Sequence, residues 1–122
     1  MGKHTEWIVY QGKQILCVNG QNLSEGEFTQ ALDEFRAEYM RKPEGTRVLI
    51  DLSGTRMTET ITAKTRQVDR ELAAFSRARG LPDQPVALVG LSLLQRTVAQ
   101  LIGRGIYYAE NTEKAKEWLA TH

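Results

Sequence analysis

Few side chains in this sequence combine the residue type and the spacing that catalysis requires. Histidine is the usual general base near neutral pH, and the two histidines, His4 and His122, stand at opposite ends of the chain. The single cysteine, Cys17, lies between Leu16 and Val18 in a predicted strand, where a free thiol is most often a buried apolar group. No histidine, cysteine or carboxylate residues cluster at the spacing of metal ligands. We therefore expect no histidine-dependent triad, no metal site and no cofactor.

The segment Asp51-Leu52-Ser53-Gly54-Thr55 follows an apolar stretch and is similar to the first motif of haloacid-dehalogenase-type phosphotransferases. That motif begins with a nucleophilic aspartate and carries a second aspartate two residues later, where this chain has Ser53. The acidic residues needed for Mg²⁺ are also missing, because beyond residue 92 only Glu110, Glu113 and Glu117 are acidic. We therefore expect no enzyme activity here. The simpler hypothesis is that the Asp51 carboxylate accepts backbone N–H groups of the following turn.

Two further segments could bind an anion. Gly90-Leu91-Ser92 precedes a predicted helix, whose first N–H groups attract negative charge, but it lacks the repeated glycines and the lysine of a nucleotide-binding loop. The second predicted helix is basic, but it has no interleaved aromatic residues and no recognition motif, so we expect a solvated face and no nucleic-acid partner. Its charged residues are Lys64, Arg66, Arg70, Arg77 and Arg79 against Asp69 and Glu71.

The composition limits the class of protein. The 122 residues are 41% hydrophobic and 25% charged, with a formal net charge of +1. This length fits one domain over residues 1–122, and the apolar content is that of a folded chain. No apolar run is long enough for stable membrane insertion, no secretory leader is recognised, and one cysteine suits a reducing compartment. We expect a cytoplasmic protein.

The hydrophobic pattern predicts strands that alternate with helices. Glu6–Tyr10 and Gln14–Val18 flank Gln11-Gly12-Lys13 and predict an N-terminal hairpin. Further along the chain, apolar stretches bounded by turn residues predict parallel strands over Arg47–Leu52, Pro85–Val89 and Ile106–Ala109. The pattern is that of an α/β fold with a mixed, mostly parallel sheet.

About four helices are predicted between and after these strands. Ser24 with Glu27, and Ser92 with Gln95, match the capping box that begins a helix. The second helix has Thr58 or Thr60 as its cap, and Thr112 is expected to cap the last one. The apolar face of the second helix is predicted to contain Ile61, Thr65, Val68, Leu72 and Phe75.

The candidate site follows from this arrangement of strands. In open sheets of parallel strands, ligands bind beyond the carboxyl ends of the strands. The residues at the carboxyl ends of the predicted strands Arg47–Leu52 and Pro85–Val89 therefore form the predicted ligand or partner surface. They are Asp51, Ser53, Gly54, Gly90 and Ser92.

The chain resembles the SpoIIAA-like branch of the STAS domains, the domains of sulphate transporters and anti-sigma-factor antagonists. The resemblance is carried by Val48-Leu49-Ile50-Asp51-Leu52-Ser53-Gly54, by Val86–Val89 with the segment that follows it to Arg96, and by Asn111-Thr112-Glu113 through Trp118-Leu119. It extends over nearly the whole chain. It implies a small STAS-like sandwich with a mixed sheet, and a non-enzymatic domain of bacterial type that relays a signal by binding another protein.

In the antagonist branch of that family, a serine at the start of the helix after the third strand is phosphorylated, and the charge disrupts partner binding. This chain has Ile61 at that position, so the phosphoacceptors to consider are Ser53, Thr58 and Thr60. The branch is also related in shape to Sec14-type lipid carriers, which implies an alternative function, the binding of a small lipophilic or anionic ligand. A homodimer is possible for so small a domain.

Overall fold

A computed structural model of the chain describes residues 3–82, 84–91 and 106–122. The described chain contains five strands and three helices. The strands are β1 (Thr5–Tyr10), β2 (Lys13–Asn19), β3 (Arg47–Asp51), β4 (Val86–Val89) and β5 (Ile106–Ala109). The helices are α1 (Glu25–Arg41), α2 (Glu59–Ala78) and α3 (Thr112–Thr121). The helix predicted to begin at Ser92 lies outside the described residues.

The five strands form one sheet in the order β1-β2-β3-β4-β5. The β1–β2 pair is antiparallel, and every other neighbouring pair is parallel. Leu49 in the centre of β3 lies opposite Cys17 on one side and Ala87 on the other. The predicted α/β class, the mixed sheet and the N-terminal hairpin are therefore confirmed, as is the parallel pairing of β3 with β4.

The hairpin turn contains two residues. Gln11 and Gly12 both have positive φ, at 49° and 78°, which is the pattern of a type I′ turn. Lys13 already pairs with Tyr10 and belongs to β2, so the turn is one residue shorter than the segment Gln11-Gly12-Lys13 suggested.

Apolar side chains cover both faces of the sheet. Helices α1 and α2 pack on one face, against residues such as Leu16, Val18, Val48 and Ile50. Helix α3 packs on the opposite face, where alternate residues of the same strands point. The second core comprises Ile15, Leu49, Ala87, Val89, Ala109, Ala115 and Leu119.

Local hydrogen bonds define where each helix begins. The Ser24–Glu27 capping box is present: Ser24 Oγ accepts the Glu27 N–H at 3.2 Å, and Glu27 Oε1 accepts the Ser24 N–H at 3.1 Å. The second helix was predicted to be capped by Thr58 or Thr60, and Thr58 is the capping residue of α2. The predicted cap of the last helix, Thr112, is wrong, because Asn111 is the capping residue and its Oδ1 accepts the Lys114 N–H at 2.9 Å.

The buried face of α2 differs from the predicted one at its end. Ile61, Val68 and Leu72 are buried as expected, but the next buried residue is Ser76 and not Phe75. Phe75 is half-buried, and the Arg79 guanidinium lies 3.6 Å from its ring centroid. Among the described helices, none is both long and apolar enough to cross a membrane.

Candidate functional site

The Asp51 carboxylate is buried at the carboxyl end of β3, with 7% of its surface exposed. Its Oδ1 accepts the backbone N–H of Ser53 at 3.0 Å, and its Oδ2 accepts a hydrogen bond from the Gln21 side chain. These bonds confirm the expectation that Asp51 stabilises the turn that follows it. Both carboxylate oxygens are thereby occupied by contacts within the chain.

Three chain segments meet at this turn through backbone hydrogen bonds. The Gly20 N–H donates to the Asp51 carbonyl at 2.8 Å, and the Leu52 N–H donates to the Val89 carbonyl at 2.8 Å. The Thr55 hydroxyl donates to the Gly20 carbonyl and accepts the Leu23 N–H at 2.9 Å. The ends of β2, β3 and β4 are therefore joined to one another by hydrogen bonds.

The glycines of the predicted site allow this close approach. Gly54 has a φ of +75°, and a Cβ there would overlap the Asn22 side chain. Gly90 has a φ of +88°, and a Cβ there would lie 2.5 Å from the Ser53 backbone nitrogen. The structure thus brings Asp51, Ser53, Gly54 and Gly90 together, but in direct packing contact, while Ser92 lies outside the described residues.

The three candidate phosphoacceptors differ in accessibility. Ser53 and Thr58 are half-buried, and the Thr58 hydroxyl accepts the Ile61 N–H at 3.2 Å and donates to Glu25 Oε2. Thr60 is exposed on the first turn of α2. Ile61, at the position where the resembled family has its phosphoacceptor, is 1% exposed and belongs to the core.

A second candidate site is an apolar cavity of about 380 Å³ beneath α1 and α2. Among the described residues, strands β3, β4 and β5 form its floor and the two helices form its walls, and the space is partly open to solvent. The apolar lining residues are Leu32, Phe35, Val48, Ile50, Val68, Leu72, Ala73, Val86, Leu88 and Ile106. We refer to this space as the apolar cavity.

Polar groups lie at both ends of the apolar cavity. Tyr39, Ser76, Arg77 and Gln84 line one end, and the Tyr39 and Ser76 hydroxyl oxygens are 3.3 Å apart. Thr65 and Asp69, which precede Ser76 on α2, line the cavity towards its other end. The cavity therefore joins an apolar interior to hydrogen-bonding groups, which is the usual chemistry of a small-molecule site.

No motif in the sequence indicates the apolar cavity. Val68 and Leu72 of the lining belong to the predicted apolar face of α2, and the lining residues of β3, β4 and β5 lie in predicted strands, where each fits an ordinary core position. The available signal was the size of two residues on the inner side of α2. Ala73 and Ser76 are small where a packed helix more often carries Leu or Ile.

A polar cleft of about 360 Å³ lies on the α3 side of the sheet. It is lined by Asp51, Gln21 and Cys17 together with charged residues that include Glu6 and Lys116. Burial, with a smaller contribution from the negative charge of Glu6, raises the pKa of the Cys17 thiol to about 11. Cys17 is therefore protonated near neutral pH and not an activated thiolate, as expected, but it is half-buried and not fully buried as predicted.

Ion pairs join α1 to α2 on the outer surface. Arg36 contacts Asp33 at 2.9 Å and Glu71 at 2.8 Å, and Lys64 contacts Asp33 at 2.8 Å. Part of the basic face of α2 is thus neutralised by carboxylates. Within residues 3–82, 84–91 and 106–122, no three histidine, cysteine or carboxylate side chains are grouped so that they could hold a metal ion.

No protein-family model matches the chain, and a search of curated proteins finds no relative.

Proposed function

We propose that this protein is a binding domain for a small, largely apolar molecule that occupies the apolar cavity. The proposal depends on one observation, a space of about 380 Å³ lined by core residues of α1, α2 and the sheet. This volume is within the range of small-molecule sites, which is about 300–1,000 Å³.

The energetics of apolar burial favour a bound molecule. The space is partly open to solvent, so its apolar walls contact water when no molecule is bound. Each Å² of apolar surface removed from water contributes about 25 cal/mol. An apolar molecule that covers these walls is stabilised by that burial.

The outer surface offers less for a protein partner. In the described part of the chain, Val9 is the single large hydrophobic residue that is exposed, with 77% of its surface accessible. Protein-binding surfaces usually have a contiguous apolar patch of several hundred Å². Among the described residues, the larger apolar surface available for binding therefore lies in the cavity.

The test is a pair of neighbouring variants on α2. Ala73 lines the apolar cavity, whereas Ala74 is exposed and does not. We expect the neutral fluorescent probe N-phenyl-1-naphthylamine to bind the unaltered protein with enhanced emission. Ala73→Phe should fill the cavity and weaken that binding about tenfold or more, and Ala74→Phe should leave it unchanged. The absence of probe binding to the folded, unaltered protein would contradict the proposal.

The second candidate is a non-enzymatic, STAS-like protein-interaction and signal-relay domain in the cytoplasm. It is supported by the resemblance in sequence, by the α/β class with its mixed sheet, and by Thr60, which is exposed on the first turn of α2. A phosphate at Thr60 would be stabilised by the N-terminus of the helix.

Native mass spectrometry of protein purified from its own cells distinguishes these two functions. A phosphate mapped to Thr60, Thr58 or Ser53 supports signal relay, and a retained small molecule supports ligand binding. The same spectrum reports whether the chain forms a homodimer. A monomer that carries neither modification nor ligand would argue against both functions as the state of the protein in the cell.

A further inference from the structure

We infer that the molecule bound in the apolar cavity is an amphiphile with an anionic head group, a carboxylate or a phosphate, which Arg77 binds at one end of the cavity. This inference rests on the proposed ligand-binding function and specifies the chemical class of the ligand.

The position of Arg77 follows from the topology. Helix α2 leads from the carboxyl end of β3 to the amino end of the parallel neighbour β4, so it runs in the opposite direction to both strands. Its last turn, which contains Arg77, therefore lies beside the amino ends of these strands. Gln84, two residues before β4, lines the same end.

Arg77 is a cation without a partner in the described structure. Arg36, Arg41 and Lys64 each form an ion pair with a carboxylate at 2.8 or 2.9 Å, and Arg79 stacks on Phe75. The Arg77 guanidinium makes no ion pair and no side-chain hydrogen bond within the described ranges. Its donors are therefore free to bind an anion.

The other polar groups at this end suit an anion as well. The Ser76 hydroxyl and the Gln84 amide, which also donates to the Pro82 carbonyl at 3.2 Å, can donate hydrogen bonds to oxygen. Asp69, the acidic residue of the lining, precedes Arg77 by eight residues on α2, which is about 12 Å along a helix axis. Like-charge repulsion of the head group is therefore weak at the Arg77 end.

The shape of the cavity suits the rest of an amphiphile. The guanidinium fork matches a carboxylate or phosphate group and can bind it through two parallel hydrogen bonds. Leu32, Ile50 and Leu88 line the part of the cavity away from Arg77 and would contact an alkyl chain. One ligand could thus satisfy the cation and fill the apolar space.

The experiment compares decanoate, decyl phosphate and decanol as competitors of the neutral probe N-phenyl-1-naphthylamine. We expect decanoate or decyl phosphate to bind about tenfold or more tightly than decanol, because each adds a charge-assisted hydrogen bond. Arg77→Gln should remove that preference, so that the two anions bind no more tightly than decanol. Arg70→Gln, an exposed arginine of the same helix outside the cavity lining, is the matched control and should keep the preference.

The outcomes separate this inference from the proposed function. Equal affinities for decanol and both anions, or an anion preference that survives in Arg77→Gln, would overturn the role of Arg77 while ligand binding stands. A basic residue in the last turn also suits a helix C-terminus, but that role alone predicts no change in head-group preference. If the probe and all three amphiphiles fail to bind the folded protein, the proposed function and the inference are both wrong.

Discussion

Gly90 lies against the backbone of Ser53, so closely that a Cβ on Gly90 would be 2.5 Å from the Ser53 nitrogen and 2.6 Å from its Cα. This contact joins the end of β4 to the turn after β3, next to the hydrogen bond between the Leu52 N–H and the Val89 carbonyl. Ser53 and Gly90, both predicted to belong to one binding site, therefore do lie together. They pack directly against each other, so their contact forms a junction between the two strand ends.

Gly90→Ala should destabilise the fold by about 3 kcal/mol or more. The substitution adds a side chain at a positive φ and forces it into backbone atoms that cannot move without breaking the junction. Urea unfolding followed by circular dichroism measures the change. Gly26→Ala is the control, because Gly26 lies in α1 with open space around it, and it should be neutral or stabilising by about 0.4–1 kcal/mol. Equal effects of the two substitutions would show that the junction is not rigid.

Glu38 should make the stability of the fold depend on pH in the acidic range. Hydrogen bonds from the Trp7 indole at 2.9 Å and from Arg41 at 2.8 Å hold the pKa of Glu38 below its ordinary value of 4.5. A pKa that is lowered in the folded state stabilises the protein at pH values above the ordinary pKa of 4.5. This stabilisation is lost as the pH falls through the pKa of the folded state.

The measurement for Glu38 is the free energy of unfolding from about pH 6 down to about pH 3. The difference in this free energy between the unaltered protein and Glu38→Gln should be largest at the highest pH of the series and should shrink as the pH is lowered. Glu44→Gln removes one carboxylate from an exposed turn and controls for the loss of a charge. A difference that stays constant with pH would show that the Trp7 contact does not favour the ionised form.

Cys17 should react slowly with iodoacetamide in the folded protein. A pKa raised from 9.0 to about 11 reduces the thiolate fraction near pH 8 about 100-fold, and the thiolate is the reactive form. The rate in guanidinium chloride is the reference. Glu6→Gln should raise the folded rate, and Lys116→Gln should lower it, because these charges act on the pKa in opposite directions. Similar rates in the folded and unfolded protein would contradict the raised pKa of this thiol.

Local patterns predicted the parts of the fold that depend on local chemistry. The Ser24–Glu27 capping box needs only two residues at fixed spacing, and the apolar stretches of β3 and β4 needed only to be covered on both faces. The cap of α3 was misplaced by one residue because Asn111 and Thr112 are both good capping residues. Phe75 and Ser76 follow Leu72 by three and four residues, so the helical repeat allows either to face inward. The pattern favours the apolar residue, but Ser76 is the one that is buried.

The candidate site was only partly predictable for a different reason. That Asp51, Ser53, Gly54 and Gly90 meet follows from parallel strands that end at one edge of a sheet. Whether such residues leave a binding space between them or pack directly against one another depends on distances of a few ångströms between backbones. The apolar cavity likewise depends on how completely the side chains of α1, α2 and three strands fill the space between them. No short segment of the sequence determines that packing.

The placement of α3 has a consequence for how the protein is made. Ile15, Leu49, Ala87 and Val89 belong to strands synthesised early, yet they pack against Ala115 and Leu119, which leave the ribosome after all five strands. Until then, one side of the nascent sheet presents uncovered aliphatic side chains, which are the features that promote aggregation and chaperone binding.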